Sequence, residues 1–589
     1  MSVQTQELRL QGEPICRGVA IGAPLFFTLK DELIPEVSIQ KQDIDREVQR
    51  YIRALTRSRN DVKKLKKKLL NEKIDEGAEI LEAHLEMLHD PLLTNQVEKA
   101  IRRKCKNAES VFQTMIDQYL KKFKTIADPF FRDRMKDIQD IKRRIISHLR
   151  NSAQVSLAEI PSGSVVFSGD LTASDTAEAN TEAVSAFVTE RGGATSHAAI
   201  VAKAKGIPYV TNVNLEQLDL SKVKQVIVDG RTGEVIVNPS LETEKRYQTM
   251  QKQLVSHMEK LKTQASFPVE TYDGYKILLS ANVDMEHELE MLHRHGGCGV
   301  GLFRSEHIFL KNECFPTEEE QYKIYRSLVS KMKGLPIVIR TFDIGGDKFL
   351  NHQQTPLEGN PFLGCRAIRL LLREQDHFKA QLRAILRVSL EGDVSIMFPM
   401  ISSLSELIES KRILKKAYDE LKEEGVPLKK EIRVGCMVEV PSAAVVADLL
   451  AKECDFLSIG TNDLVQYSLA VDRTNHAVNG LYSSTDPSVI RLIKLVVTEA
   501  NRHSIPVTVC GEIAADPRFT TLLLGLGVHE LSVASRYIPT IRHAVRSTSI
   551  IEASHLAEEV LKLMHASEIE ELITTAYREN VPEDCFYNI

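Results

Sequence analysis

The sequence predicts an α/β multidomain chain, in which an N-terminal α/β domain split by an all-helical insert leads through a linker helix into a C-terminal (β/α)8 barrel. Three observations lead there. Short apolar β-type runs flank a stretch from about Gln42 to Leu149 that is charged and carries its apolar residues at helical spacing. A second charged stretch, Leu241 to Leu261, has Tyr247, Met250, Leu254, Met258 and Leu261 at helical intervals. Beyond it, eight apolar runs alternate with amphipathic helical patterns, as parallel strands joined by crossover helices require. The boundaries that follow are 1–36 and 156–240 for the split α/β domain, 37–155 for the insert, 241–265 for the linker and 266–589 for the barrel.

Totals agree with several domains. At 589 residues the chain exceeds what one hydrophobic core can hold. A net charge of -5 argues against nucleic-acid binding, which favours basic surfaces. No apolar run reaches the length of a membrane span and the first residues lack a signal-peptide core, so a cytoplasmic protein is expected. The nine cysteines are scattered without a Cys-x-x-Cys pair, which predicts reduced thiols.

In chain order, Pro14 to Thr28 reads as strand and turn, punctuated by Gly18 and Gly22. In the insert, Ile44, Val48, Ile52 and Leu55 recur at helical spacing, as do Leu81, Leu85 and Leu88. Glu82, His84, Glu86 and Met87 edge that second pattern and are read as solvated helix surface, with a docking face as the competing reading. Strands return at Val165 to Phe167, Ala186 to Val188, Tyr209-Val210, Val226 to Val228 and Val235 to Val237, the last two joined by the hairpin sequence Asp229-Gly230-Arg231-Thr232-Gly233. A hinge near either end of the linker would let the N-terminal domain travel.

Between two of these strands lies Gly192-Gly193-Ala194-Thr195-Ser196-His197. The glycines turn the chain, Thr195 or Ser196 caps a helix, and Gly206 with Pro208 ends it. His197 therefore falls at a helix start, where backbone N–H groups and the helix dipole favour an anion, so the imidazole could carry a phosphoryl group. An ordinary polar residue in a glycine turn is the competing reading.

The barrel strands are expected at Ile277 to Asn282, Gly299 to Phe303, Ile337 to Thr341, Val394 to Phe398, Val434 to Val438, Phe456 to Ile459, Val507 to Val509 and Glu530 to Val533. Arg304, Arg340, Glu439, Asn462, Asp463 and Cys510 each fall at the C-terminal end of one of these runs, where such barrels build their active sites. Arg304, Arg340 and Arg473 would cradle a small, multiply charged anion, since a guanidinium stays charged and binds phosphate or carboxylate in two places. Each could instead be structural, paired with a neighbour such as Glu306, Asp343 or Asp472. Glu439 and Asp463 are hard oxygen ligands suited to Mg2+, unless they only balance the arginines. Asn462 can donate to a phosphate oxygen, and Cys510 sits where an acid-base group would, with a buried inert thiol as the alternative.

The ordered set Gly192-Gly193-x-Thr195-Ser196-His197, Gly299-Val300-Gly301-Leu302-Phe303-Arg304-Ser305-Glu306, Arg340-Thr341-Phe342-Asp343-Ile344-Gly345-Gly346-Asp347-Lys348, Asn360-Pro361-Phe362-Leu363-Gly364, Met437-Val438-Glu439, Gly460-Thr461-Asn462-Asp463-Leu464, Asp472-Arg473 and Cys510-Gly511-Glu512 resembles enzyme I of the bacterial phosphoenolpyruvate:sugar phosphotransferase system. The resemblance implies that phosphoenolpyruvate (PEP) binds with Mg2+ in the barrel and phosphorylates His197. It further implies that the phosphohistidine domain swings away and passes the group to a histidine of the carrier protein HPr, docked on the helical insert. Arg304, Arg340, Asn462, Asp463 and Arg473 would contact PEP, Glu439 and Asp463 hold the metal, and Cys510 protonate the enolate to pyruvate. A homodimer through the barrel is also implied.

The chain departs from the family pattern at Ala194, where a basic residue is usual, at Cys365, where an aromatic one is, and at Ser305, which replaces threonine. Ala194 bears on how a phosphate on His197 is neutralised, and keeps open a regulatory protein that senses PEP with little turnover. PEP synthase and pyruvate phosphate dikinase share the histidine loop and the barrel but need a large ATP-binding domain, for which the N-terminal part leaves no room. The nitrogen-related form of enzyme I has a sensory domain before the first strand, whereas this sequence opens almost at once on its strand.

Overall fold

A computed structural model describes residues 7–27, 34–72, 74–123, 129–150, 157–158, 160–193, 196–216, 218, 222–312, 315–345, 360–473, 475 and 478–581. The chain divides near residue 255 into two compact units.

The first unit opens on β1 (Leu8–Gln11), β2 (Glu13–Cys16) and β3 (Val19–Phe26). The helical insert follows as α1 (Ile44–Asn71), α2 (Asp75–His89), α3 (Val97–Lys104), α4 (Ala108–Phe123) and α5 (Pro129–Arg150). The chain then returns through β4 (Ser164–Ser168), α6 (Ala173–Glu178), β5 (Val184–Thr189), α7 (His197–Lys205), β6 (Tyr209–Thr211), β7 (Val226–Asp229) and β8 (Glu234–Val237) to α8 (Leu241–Thr263). One eight-stranded sheet forms in the order β1-β8-β7-β3-β4-β5-β6-β2. Its middle, from β3 to β6, is parallel, and its two flanks are antiparallel, including the β7–β8 hairpin read from Asp229 to Gly233. Parallel pairing of β4 with β5 and of β5 with β6 demands crossovers, and α6 and α7 supply them.

The insert is not a free-standing bundle. Tyr51, Leu69, Leu81, Phe112 and Ile145 are buried in a cluster that also takes in Ala173 and Ala177 of α6 and Val201 of α7. Two lysines reinforce this joint. Lys205, at the last position of α7, donates to the carbonyls of Ala177 (2.9 Å) and Ala179 (2.8 Å), and Lys68 of α1 donates to that of Glu178 at 2.9 Å. Both cations sit at the negative end of α6.

Here the structure corrects the reading of α2. Glu82 and Glu86 are exposed, but His84 is fully buried and Met87 half-buried against the insert core. The reason is spacing: His84 stands three residues after Leu81 and four before Leu88, on the buried stripe.

In the second unit β9 (Leu278–Val283), β10 (Val300–Arg304), β11 (Ile337–Arg340), β12 (Val394–Phe398), β13 (Arg433–Val438), β14 (Phe456–Gly460), β15 (Val507–Cys510) and β16 (Glu530–Ala534) form a closed parallel barrel, β16 pairing with β9. Every expected strand is present within a residue or two, and the fold class read from the sequence is confirmed. Leu302, Met397, Met437, Phe456 and Cys510 pack inside the ring, so the barrel is a filled core with its chemistry at one mouth.

Close packing continues outside the ring. A Cβ on Gly525, in the helix Thr520–Leu526, would stand 1.8 Å from the carbonyl oxygen of Ala553 in the helix Ile550–Val560. We expect Gly525→Ala to destabilise the barrel by about 1–3 kcal/mol, because a backbone atom cannot step aside. A thermal unfolding midpoint equal to wild type would refute that contact.

Candidate active site

His197 is the first residue of α7. Ser196 caps the helix, its hydroxyl accepting from the Ala199 N–H at 3.3 Å, and Gly206 closes it at φ 67°. Ala194 and Thr195 lie outside the described residues, so of the two expected caps the structure describes Ser196. The His197 side chain is 32% exposed, open enough to exchange a phosphoryl group, and lies in a narrow recess with Lys136, Asp137, Thr172 and Ser196.

A partner that sequence reasoning missed comes from the insert. Asp137 of α5 places Oδ1 3.1 Å from His197 Nδ1. Burial alone would raise the Asp137 carboxyl, but contact with His197 and His84 overcomes this and holds it at about 2. The carboxylate is therefore ionised at working pH and can only accept from Nδ1–H, so that a singly protonated ring held this way has its lone pair on Nε2. Nothing local in the sequence marks Asp137, which stands sixty residues before its partner.

The sequence-predicted residues of the second unit come together at the C-terminal mouth of the barrel. Arg304 and Arg340 are the last residues of β10 and β11, and Cys510 of β15; Glu439 follows β13; Asn462 and Asp463 open the helix Thr461–Leu469 after β14. Arg304 is half-exposed and meets Asp284 at 3.2 Å. Arg340 is buried and donates to Glu306 at 2.8 Å, with Asp343 at 3.3 Å; burial opposes its charge, but these carboxylates overcome that and raise its pKa. Glu306 also accepts from the Asp343 N–H at 2.8 Å, which ties the two carboxylates around one guanidinium. Of the neighbours that could pair with these arginines, Glu306 and Asp343 both serve Arg340.

Arg366, absent from the sequence reading, is a third guanidinium at this mouth. It lies 3.0 Å from Asp343 and 3.2 Å from Asp463, and donates to the Tyr467 hydroxyl at 3.1 Å. It escaped notice because it follows a loop, not a strand. Its place in the motif right after Asn360 to Gly364 was the available signal.

Glu439 is 2% exposed, and its Oε1 accepts from the Met400 N–H at 2.7 Å. Burial first, then the neighbouring Asp463 and Asp343, push its carboxyl well above the usual range. Crowded, buried carboxylates of this kind fit a hard cation. Among the described residues no three His, Cys, Asp or Glu side chains are grouped to hold a metal. Space there is tight, since a Cβ on Gly460 would stand 2.7 Å from Glu439 Oε2.

On the other side of the mouth, Asn462 and Glu512 clasp each other, the Glu512 N–H donating to Asn462 Oδ1 at 2.9 Å. Arg473 reaches the same Glu512 at 3.8 Å. The chain can turn here because Gly511 adopts φ 102°, where a Cβ would meet Thr461 Oγ1 at 2.3 Å. Cys510 is 3% exposed, with Sγ 3.4 Å from the Ile459 carbonyl. Burial raises its pKa, which keeps it a protonated thiol.

Comparison with known proteins defines the class first. Family models of PEP-utilising enzymes match in succession, the N-terminal domain over residues 11–134, the mobile domain over 160–233 and the PEP-binding domain over 258–550. The phosphoenolpyruvate-protein phosphotransferase of Priestia megaterium is 38% identical over 96% of this chain and 99% of its own length, and that of Bacillus subtilis (strain 168) 37% identical over 92% and 96%. A solved NMR structure of enzyme I (nEIt) is 34% identical over 42% of this chain and 99% of its own, with a TM-score of 0.36. The chain belongs to the phosphoenolpyruvate-protein phosphotransferase family, and it is an enzyme. Among the described residues no helix is long and apolar enough to cross a membrane.

The depressed Asp137 carboxyl makes a pH-dependent contribution to stability. Its pKa falls from 3.8 to about 2 on folding, so the contribution is complete above the unfolded value and is lost as pH drops through the folded one. We expect Asp137→Asn to cost about 2 kcal/mol at pH 7 and almost nothing at pH 2. Urea unfolding of both proteins at the two pH values measures this, and a pH-independent difference would refute it.

Proposed function

We propose that this enzyme transfers the phosphoryl group of PEP to its own His197 and then to a histidine of HPr, releasing pyruvate, as the first general step of a PEP-dependent sugar phosphotransferase system. The observation that carries the reading is the convergence at one barrel mouth of four guanidiniums, two crowded carboxylates and a buried protonated thiol. Such a set suits a small substrate bearing both phosphate and carboxylate that becomes an enolate. The helix-start histidine in the other unit is the acceptor.

In this reading Arg304, Arg340 and Arg473 bind the substrate's anionic groups, and Arg366 joins them. Asn462 and Asp463 complete the contacts. Glu439 and Asp463 would hold Mg2+, which when bound supplies positive charge against a phosphoryl group. The Nε2 lone pair of His197 attacks phosphorus, the enol P–O bond breaks as the N–P bond forms, and the Cys510 thiol gives its proton to the methylene carbon of the enolate to yield pyruvate. The thiolate left behind is reprotonated from solvent. Asp137 keeps the His197 proton on Nδ1, so that Nε2 attacks without a separate base. The resemblance adds HPr docking on the insert, a homodimer through the barrel and a cytoplasmic site of action.

The test is labelling with 32P-PEP and Mg2+. Wild type should gain an acid-labile label, His197→Ala none, and HPr should remove the label from wild type while pyruvate accumulates. No label on folded wild type would refute the reading.

Two substitutions probe the barrel. Arg340→Lys should lower kcat/KM for PEP at least about 100-fold, because a point charge cannot replace a fork bound on two sides. Glu439→Gln should raise the Mg2+ concentration needed for half-maximal labelling, and an unchanged requirement would remove Glu439 from the metal site.

A further inference from the structure

His84 has no role in the chemistry above, yet it is a fully buried polar side chain against the carboxylate that holds His197. Its exposure is 0%, and it lies under Asp137 with Nε2 3.0 Å from Oδ1, the same oxygen that receives His197 Nδ1–H. Its Nδ1 faces Asp140 Oδ2 at 3.7 Å. Neither nitrogen has an aligned hydrogen bond: the distance to Asp137 is short but the direction is off the straight line. A buried ring so poorly satisfied is a burden on folding, and an apolar residue would serve the packing of α2 better.

We propose that His84 is a positioning residue for His197, competing with it for one Asp137 oxygen and so limiting the negative charge that Asp137 presents to the nucleophile's ring. The consequence follows from electrostatics. A carboxylate facing a single imidazole raises the basicity of that ring, and a doubly protonated ring has no lone pair with which to attack phosphorus. A second ring nitrogen carrying its proton 3.0 Å from the same oxygen, even off the straight line, offsets part of that charge. His197 Nε2 thereby stays unprotonated, and nucleophilic, at neutral pH.

Other charged groups surround this trio. Asp140, Arg143 and Arg144 lie on α5, with Arg143 3.8 Å from Asp175 of α6, and Arg144 3.3 Å from Glu178 of α6 and 4.0 Å from Asp61 of α1. Lys136 pairs with Asp170 at 2.9 Å. All are retained in the variants below, so a difference between variants belongs to His84.

The inference rests on His197 being the nucleophile, but its test does not need phosphoryl transfer. Diethyl pyrocarbonate modifies only unprotonated imidazole, and mass spectrometry of the full chain reads His197 peptide by peptide. Two variants differing by one methylene isolate the donor. His84→Gln sets an amide where Nε2 was, facing Asp137, whereas His84→Asn sets it where Nδ1 was, facing Asp140. We expect the midpoint of His197 modification to move to higher pH in His84→Asn and to stay at the wild-type value in His84→Gln. In an Asp137→Asn background the two should coincide.

Equal midpoints for the two variants in the otherwise wild-type chain would overturn the proposal, and matched thermal melts exclude a packing cause. PEP labelling of the same preparations separates the two readings. Normal labelling without the shift would reject the role of His84 alone, and the shift without labelling would reject PEP as donor while leaving the role of His84 intact.

Discussion

Closure of the eight parallel strands is the constraint on which the catalytic groups depend. Because β16 returns to pair with β9, every strand ends on the same side, and residues more than two hundred positions apart in the chain, such as Arg304 and Cys510, become neighbours. An open sheet with the same strands would spread these groups along an edge. The filled interior makes the ring rigid, and the side chains at its mouth are further tied to one another by ion pairs and hydrogen bonds. That matters because they are mutually demanding: Arg340 is buried only because Glu306 and Asp343 balance it, and Glu439 is crowded by Asp463 and Asp343. The rigid ring holds these carboxylates close together despite their like charge.

Much of this was legible beforehand, for a physical reason. A strand buried on both faces is a run of Val, Ile, Leu and Phe, and a polar residue directly after such a run stands out. Arg304, Arg340, Glu439, Asn462, Asp463 and Cys510 were readable in this way. Arg366 was not, since it enters the mouth from a loop, nor were Asp284 and Glu512; Glu306 could be named as a partner, but its choice of arginine depends on which strands are adjacent. The pairing of Arg340 with Glu306 requires β10 to lie beside β11, a fact of topology and not of spacing.

The N-terminal unit was less legible. The helix start at His197 could be read from its glycines and its cap, but its proton-holding partner Asp137 comes from a helix whose own pattern is ordinary. His84 was read as surface because it is polar, although its position between Leu81 and Leu88 puts it on the buried stripe. Periodicity was the better guide there than polarity. A polar residue on an apolar stripe marks a place to look for a partner, and here the partner is the carboxylate that also holds His197.

The joint between the helical insert and the sheet bears on how such enzymes are recombined. In sequence the insert is one continuous run entered after β3 and left before β4, which invites exchange as a cassette. In space its side chains finish the neighbouring subdomain: Lys68 closes the end of α6 alongside Lys205, and Asp137 fixes the ring at the start of α7. A transplanted bundle lacking these residues would leave α6 unclasped and the His197 ring without its carboxylate. The workable unit of exchange is the bundle's outer face, grafted onto helices whose inner face is kept.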